Sequence, residues 1–206
     1  MKLAAFLGSP RSGGNTDTLA VRVLESAKAS SVETEIVALR SLTIKPCNGC
    51  ERCWGNDRPC IFTDDMTVLY ELIARADVLL FATPVWWYGP STLMKAFLDR
   101  FVPFNMPQGR PLIKGKDAVL VTAYEEEGPE AAEPLIRMFE LSFRYLGMRF
   151  IDRLVVDGTG PKGAVPANSR ALERAAEIGR AIARRSGAVH AQAEAREPER
   201  AAEDPQ

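Results

Sequence analysis

The sequence has almost no histidine and no excess of charge of either sign. His190, the only histidine among 206 residues, lies in a polar stretch near the C-terminus, so we expect no Ser-His-Asp triad or Cys-His pair, and a multi-histidine metal site cannot be built. Lys and Arg number 26 against 27 for Asp and Glu, a balance that offers no basic surface for nucleic acid or anionic lipid. Any chemistry must therefore come from other side chains or from a bound cofactor.

Long apolar segments and an export signal are also missing. The apolar residues 3–7 are too few for a signal-peptide core and run straight into a turn. The longest apolar neighbourhood, residues 78–88, is broken by Thr83 and Pro84 and falls short of the roughly 20 residues that span a bilayer. We therefore predict a soluble, cytoplasmic protein without membrane or nucleic-acid partners.

The composition is that of a globular chain, with 46% hydrophobic and 26% charged residues. Short branched apolar runs alternate with helix-period segments, which is typical of strand-helix units around a parallel sheet. Strands are predicted at residues 2–8, 34–39, 78–83, 118–123 and 149–156, and helices at 18–29, 66–74, 91–101, 130–145 and 168–185. Because crossovers between parallel strands are right-handed, we predict a doubly wound α/β domain, residues 1–185, with helices on both faces. The Ala-, Glu- and Arg-rich residues 186–206 are predicted to form a disordered tail.

The segment after the first predicted strand has the properties of a phosphate site. Residues 8–16 read GSPRSGGNT and lie directly before an amphipathic helix. Glycines let backbone N–H groups turn inward, the helix N-terminus favours an anion, and the side chains supply hydroxyls and a cation. Gly14 and Asn15 stand where a Walker A loop requires Lys and Ser or Thr, and the dinucleotide glycine pattern is missing. A plain loop in which Asn15 or Thr16 caps the helix is the alternative.

A second loop, which is aromatic, follows the third predicted strand. Residues 83–91 read TPVWWYGPS. An aromatic loop beside a phosphate loop, where the strand order reverses, is a suitable seat for a flat aromatic cofactor that carries one phosphate. FMN fits this description. Packing in the core or in an interface is the alternative for each ring.

Together the two segments resemble the flavodoxin-like NADPH-dependent FMN reductase family, over roughly residues 2–156. The family has a Gly-Ser-Pro-Arg…Gly-Asn-Thr loop and a Ser/Thr-Pro-Val-aromatic loop that leads into Lys-Ala-Phe-Ile/Leu-Asp-Arg. The resemblance implies a five-stranded parallel sheet of order 2-1-3-4-5, FMN as cofactor and NAD(P)H as co-substrate. By the same resemblance the phosphate would be held by Ser9, Arg11, Ser12, Asn15 and Thr16. The residues expected around the rest of FMN are Pro84, Val85, Trp86, Trp87, Tyr88 and Thr122.

The helix after the aromatic loop carries further matches to the family. Lys95, Asp99 and Arg100 match a helix that commonly lies at a dimer contact, and a solvated ion-pair face is the alternative. Phe97 and Phe101 of this helix, together with an exposed aromatic loop, would form an apolar patch too large for a typical monomer. We therefore predict a homodimer or homotetramer.

An acidic loop follows the fourth predicted strand, with Glu125, Glu126 and Glu127 in succession. If these side chains face the site, they would disfavour a negatively charged reduced flavin or a phosphate-bearing nicotinamide donor. Hydrated side chains that point to solvent are the alternative.

All four cysteines lie in one loop, as a C-x2-C-x2-C-x6-C array of Cys47, Cys50, Cys53 and Cys60. Thiolates at this spacing can wrap a [4Fe–4S] cluster, and the array resembles the compact cluster motif of the iron-sulfur flavoproteins, a branch of the same fold. Many FMN reductase relatives carry a similar segment without an established cluster. Free thiols and a four-thiolate zinc site therefore stay open.

These patterns predict an FMN-dependent oxidoreductase that takes hydride from NAD(P)H onto flavin N5 and passes electrons to a small-molecule or protein acceptor. The flavin supplies the reactive atom, so no catalytic side chain is assigned. The alternatives are an electron carrier, flavodoxin-like or of the iron-sulfur flavoprotein type, without NAD(P)H turnover, and a module of the same fold that has lost FMN.

Overall fold

The computed structural model describes residues 1–55 and 57–200, with side chains described as far as residue 185. The strands are β1 (Lys2–Leu7), β2 (Glu33–Ala38), β3 (Val78–Ala82), β4 (Val85–Trp86), β5 (Gly89–Pro90), β6 (Asp117–Ala123) and β7 (Arg149–Val156). The α-helices are α1 (Asn15–Lys28), α2 (Met66–Arg75), α3 (Thr92–Asp99), α4 (Arg110–Ile113), α5 (Glu133–Leu146) and α6 (Ser169–Arg200). Short 3-10 helices span Leu39–Ser41, Val102–Asn105 and Val165–Ala167.

Five of the strands form one parallel sheet in the order β2-β1-β3-β6-β7. Counted among these five alone, the order is 2-1-3-4-5, so the predicted flavodoxin-like sheet is confirmed. The chain moves outward from β1 first to β2 and then, in the other direction, to β3. Ligands of such sheets bind in the crevice that opens at this reversal, beyond the carboxyl ends of the strands.

Two cores cover the two faces of the sheet, because successive side chains of a strand point to opposite sides. Ala4 and Phe6 of β1 pack toward α2, α3 and α5, whereas Leu3, Ala5 and Leu7 pack toward α1 and α6. The first core is aromatic, with the Phe81 ring 5.1–6.5 Å between centroids from five other phenylalanine rings. The helices on both faces hold the strand ends in fixed positions.

Phe97 and Phe101 belong to this aromatic core, and they are 0% and 5% exposed. The expectation that they contribute to an exposed apolar patch is therefore wrong, because their rings face the sheet. The prediction of a homodimer or homotetramer then rests on the aromatic loop alone.

Arg100, directly after α3, is buried. The alternative of a solvated ion-pair face therefore does not apply to Arg100. Its guanidinium group donates to the two carboxylate oxygens of Asp64 at 2.6 and 3.2 Å and to the Lys45 carbonyl oxygen at 2.8 Å. Lys95 and Asp99 form the expected exposed ion pair, at 2.5 Å. Arg100 thus fixes both ends of the segment that carries the cysteines.

The remaining differences lie at element ends and in short elements. Helix α1 begins three residues before the predicted start, because Gly14 has an extended ψ of 173° and serves as its N-cap. The hairpin β4–β5 and the one-turn helix α4 were not predicted. Within the described residues no helix is long and apolar enough to cross a membrane.

The predicted tail, residues 186–206, stays a prediction. Residues 201–206 lie outside the described residues, and for residues 186–200 only the backbone, as part of α6, is described.

Helix α6 packs closely on α1, the helix that follows the predicted phosphate loop. Gly179 makes this approach possible: a Cβ atom added there would meet the Val23 carbonyl oxygen and would lie 2.8 Å from Ser26 Cβ and 2.9 Å from Ala27 N. Two of these three atoms belong to the backbone of α1, so they cannot move aside without shifting the helix.

We expect Gly179→Ala to destabilise the protein although Ala is the better helix former. Overpacking costs about 1–3 kcal/mol, whereas the gain in helix propensity is at most about 1 kcal/mol. Chemical denaturation should therefore show a lower free energy of unfolding. The matched control is Arg184→Ala on the exposed face of the same helix, expected within about 0.5 kcal/mol of the parent. An equally stable or more stable Gly179→Ala protein would contradict the close packing.

Candidate functional site

A cleft of about 230 Å³ lies at the carboxyl ends of the strands. It brings together the loop after β1, the aromatic hairpin after β3, the acidic loop after β6 and the loop after β7. Of the predicted FMN-binding residues, its wall contains Ser9, Arg11, Asn15, Thr16, Pro84, Val85 and Trp86. Four others are not part of the wall: Ser12, Trp87, Tyr88 and Thr122. Residues that were not predicted but line it include Ala123, Tyr124, Thr159, Gly160 and Lys162.

The loop after β1 leaves the start of α1 open toward the cleft. The Ser9 hydroxyl accepts from the Arg11 N–H at 3.1 Å and donates to the Arg11 carbonyl at 3.2 Å, which closes a tight turn. A Cβ atom on Gly14 would lie 3.2 Å from the Arg11 carbonyl oxygen, which is a tight contact. Gly14, the N-cap of α1, offers no side-chain acceptor to the first helical turn, and unpaired N–H groups in a first helical turn favour an anion.

An ion pair between the buried Asp17 and the half-buried Arg40 supports this loop. Asp17 is 4% exposed; it accepts from the Gly13 N–H at 3.2 Å and pairs with Arg40 at 2.9 Å. Burial raises the pKa of the Asp17 carboxyl, and the positive charges of Arg40 and Lys162 oppose that rise. The Gly13 N–H and the Arg40 charge are thus used within the protein and do not face a ligand.

Asn15 uses its side chain to bind another loop. Its amide nitrogen donates to the carbonyl oxygens of Pro161 at 3.0 Å and Thr159 at 3.4 Å. Its amide oxygen accepts from the N–H groups of Gly163 at 3.1 Å and Val165 at 3.2 Å. An Asn side chain has two donors and two acceptor lone pairs, so its full capacity is committed. Any contact between Asn15 and an anion would have to come from its backbone N–H.

Ser91, the N-cap of α3, connects the two predicted FMN loops. Its hydroxyl accepts from the Met94 N–H at 3.2 Å and donates to the Gly8 carbonyl oxygen at 2.5 Å. Its own N–H donates to the Thr83 hydroxyl at 3.0 Å, which closes the base of the aromatic loop. A Cβ atom on Gly8 would lie 2.8 Å from Met94 Cβ, so only Gly lets α3 pack this closely.

The aromatic loop is a hairpin whose two turn residues have left-handed backbones, with φ of 49° at Trp87 and 62° at Tyr88. Such turns favour Asn and Gly, and bulky residues at positive φ are strained. Trp87 is 96% exposed and Tyr88 59%, whereas Trp86 is 42% exposed and lines the cleft. Backbone strain that persists in this way is frequent at ligand sites.

The acidic loop is held by the loop after β7. Tyr124 donates its hydroxyl to the Gly128 carbonyl at 2.8 Å, and its own carbonyl accepts from the N–H and the hydroxyl of Thr159 at 2.9 Å. Burial, followed by the charges of nearby carboxylates, raises the pKa of Tyr124. Glu125 and Glu126 line the cleft and are also exposed to solvent. The prediction that they face the site and the alternative that they are hydrated therefore both hold in part.

Thr122, one residue before this wall, is fully buried and its hydroxyl has no hydrogen-bond partner among the described residues. The structure therefore does not bring its side chain to the cleft wall.

The cysteine loop lies apart from the cleft wall. Cys47 is exposed and the other three thiols are half-buried. Burial raises the pKa of the Cys53 thiol, and the charges of the other three thiolates raise it further. Trp54 anchors the loop by donating to the Pro103 carbonyl at 2.5 Å. Across residues 1–55 and 57–185, no three His, Cys, Asp or Glu side chains are arranged to hold a metal ion. The metal site predicted at these four cysteines stays a prediction.

Residues 1–161 match the NADPH-dependent FMN reductase family. The chain belongs to this family. The family resemblance of the two loops is therefore confirmed. The predicted enzyme class, an NAD(P)H-dependent FMN oxidoreductase, is confirmed as well, with FMN as cofactor and NAD(P)H as co-substrate. The cleft also fits FMN, because it combines hydroxyls, Arg11 and an open helix start with an aromatic wall.

Individual relatives agree with the family match. The chain is 30% identical over 182 residues to the NAD(P)H-dependent FMN-containing oxidoreductase YwqN of Bacillus subtilis, covering 86% of this chain and 96% of that protein. It is 29% identical over 188 residues to an iron-sulfur flavoprotein of Methanocaldococcus jannaschii, covering 89% and 96%. The fold is similar to that of the NAD(P)H:quinone oxidoreductase from Methanothermobacter marburgensis, with a TM-score of 0.71, 21% identity and coverage of 88% and 96%.

The hairpin strain gives a prediction about stability. We expect the double variant Trp87→Asn and Tyr88→Gly to raise the free energy of unfolding of FMN-free protein by about 1 kcal/mol, because Asn and Gly adopt left-handed backbones at lower cost. The matched control is Trp87→Phe with Tyr88→Phe, which keeps both rings and the strain and should change stability by less than about 0.5 kcal/mol. A lower stability of the Asn-Gly variant, measured by denaturation, would show that the rings stabilise the folded protein.

Proposed function

We propose that the cleft binds FMN with its phosphate at the start of α1 and its ring against the aromatic hairpin, and that the chain passes electrons from NAD(P)H to a second acceptor there. The observation that carries this proposal is the meeting of the phosphate loop and the hairpin in one cleft, joined through Ser91. Bound FMN supplies the two-electron chemistry at its N5 atom, so the protein needs to bind and orient rather than to provide a base.

At the phosphate end, the proposed groups are the hydroxyls of Ser12 and Thr16, the Arg11 guanidinium and the backbone N–H groups of the first turn of α1. The Ser9 hydroxyl would join them by turning its one proton away from the Arg11 carbonyl oxygen. Thr16 is 3% exposed and lies on the cleft wall, which suits a direct hydroxyl contact. Ser12 and Arg11 are exposed and would close over the phosphate from the solvent side. Asn15 contributes through its backbone only.

At the ring end, the proposed wall is formed by Pro84, Val85 and Trp86, with Ala123 and Tyr124 from the next loop. Trp87 and Tyr88 stand beyond the wall on the exposed tip of the hairpin. There the two rings can cover a second reactant above the flavin or contact another copy of the chain. We propose that the protein is a homodimer or homotetramer with these rings in the contact. Glu125 and Glu126 place negative charge at the cleft entrance.

The proposed acceptor is a small molecule or a protein that reaches this entrance. We propose a cytoplasmic protein that contacts neither nucleic acid nor membrane, in keeping with its balanced charge of -1.

An electron carrier without NAD(P)H turnover is the second candidate. The spacing of the four cysteines and the resemblance to an iron-sulfur flavoprotein favour it, although among the described residues no three His, Cys, Asp or Glu side chains are arranged to hold a metal ion. In this candidate Cys47, Cys50, Cys53 and Cys60 would be the ligands of a [4Fe–4S] cluster.

Changing the charge of the phosphate loop tests where FMN binds. We expect the double variant Arg11→Ala and Ser12→Glu to lose measurable FMN affinity in a fluorescence titration, because a carboxylate opposes the phosphate at close range. The control is Lys28→Ala with Ser30→Glu, which makes the same change in net charge at the other end of α1 and should bind FMN as the parent does. Unchanged affinity in the first variant would contradict the proposed site.

Steady-state oxidation of NADH and NADPH separates the two candidate functions. We expect FMN-loaded protein to consume at least one of them when a quinone or an azo compound is added, and FMN-free protein to consume neither. Iron and sulfide are measured on the same anaerobic preparation. Four titratable thiols with flavin and without iron would support the reductase, whereas about four irons per chain without NAD(P)H consumption would support the carrier.

A further inference from the structure

We propose that Lys162 is a phosphate-binding residue for FMN and that Asn15 is the positioning residue that holds it over the start of α1. The proposal rests on the FMN site proposed above and deepens it. Lys162 lies just beyond residue 161, where the family match ends, so that match assigns it no role.

The first step is the position of Lys162. It lines the same cleft as Ser9, Arg11 and Thr16, although it follows them by almost the whole length of the domain. Its charge also acts on Asp17, in the first turn of α1. A cation that reaches both the cleft and the first turn of α1 is placed beside an anion bound at that turn.

The second step is the way in which the position is fixed. The four hydrogen bonds of the Asn15 side chain go to residues on both sides of Lys162: Thr159 and Pro161 before it, and Gly163 and Val165 after it. Asn15 is itself the first residue of α1. The loop is therefore bound to Asn15 on both sides of Lys162. Asn15 lies at the helix terminus where the phosphate is proposed to bind.

The third step is the backbone of this loop. Gly160 and Gly163 have φ values of 55° and 86°, and a Cβ atom at either would meet open space. The glycines are thus required by backbone conformation and not by crowding. Two left-handed turns within four residues bring the chain back on itself, with Lys162 between them and its side chain exposed to solvent.

The last step is charge. A phosphate monoester carries about -1.5 to -2 at neutral pH, more than Arg11 alone would balance. Among the described residues, neither Arg11 nor Lys162 has a carboxylate within 4.0 Å. Arg40, the other nearby cation, is already paired with Asp17. Lys162 supplies the second positive charge.

The test compares FMN with riboflavin, which has the same ring and lacks the phosphate. We expect Lys162→Gln to raise the Kd for FMN about 10- to 100-fold, in line with loss of one charge-assisted contact, and to leave the Kd for riboflavin within about twofold. Lys162→Arg should bind FMN nearly as the parent does. Lys28→Gln on the far end of α1 is the matched control and should change neither constant. Lys162 is exposed, so none of these variants depends on repacking a core.

Asn15 is tested by a double-mutant cycle. Because it acts through Lys162, Asn15→Ala should weaken FMN binding, and adding Lys162→Gln should weaken it little further. Additive losses would instead mean that the Asn15 side chain supports FMN binding by a route other than Lys162, and would overturn its role as the positioning residue for Lys162. Denaturation of each variant without FMN verifies that the fold is intact.

Two results would overturn the assignment of Lys162. One is an unchanged FMN affinity in Lys162→Gln while Arg11→Ala with Ser12→Glu abolishes binding, which would leave the proposed FMN site standing without Lys162. The other is an equal loss of FMN and riboflavin, which would place Lys162 on the ring or ribityl chain. If neither the loop variant nor Lys162→Gln changes FMN affinity, the proposed FMN site itself is wrong.

Discussion

The hydrogen bond from the Ser91 hydroxyl to the Gly8 carbonyl oxygen determines how the two halves of the cleft meet. Gly8 directly follows β1. Ser91 caps α3 and closes the aromatic loop through Thr83. All of these groups are buried, so a lost partner would leave an unsatisfied polar atom away from water. The phosphate loop and the hairpin are consequently joined through buried hydrogen bonds.

Much of the fold could be predicted because buried parallel strands are continuous apolar runs and the helices between them are amphipathic. Strand β7 was predicted with its observed ends, Arg149–Val156. The hairpin could not be predicted, because Trp87 and Tyr88 occupy a turn whose usual signal is Asn-Gly. The helical pattern predicts α1 only from residue 18, because Asn15 and Thr16 have the residue types of a loop although they begin the helix.

The site was predictable where the signal is local and not where the partners are distant. Thr16 and Trp86 follow from neighbouring residues, whereas the partners of Asn15 lie 144 to 150 residues further along the chain. Thr122 stays a predicted FMN residue. Neighbouring residues of a strand face opposite sides, and Ala123, the next residue, lines the cleft. The cysteine spacing shows what the thiols could bind, but the loop backbone decides where they lie.

The ion pair of Arg100 and Asp64, 1% and 2% exposed, limits the order in which mutations can accumulate. Removing either partner alone leaves a buried, uncompensated charge at a cost of about 3–5 kcal/mol, a large part of the roughly 5–15 kcal/mol that keeps a domain folded. Replacing either residue alone is therefore strongly destabilising, and we expect the two positions to change together. The cysteine segment between Lys45 and Asp64 is attached at both ends by the Arg100 guanidinium, so its place in the fold depends on the same pair.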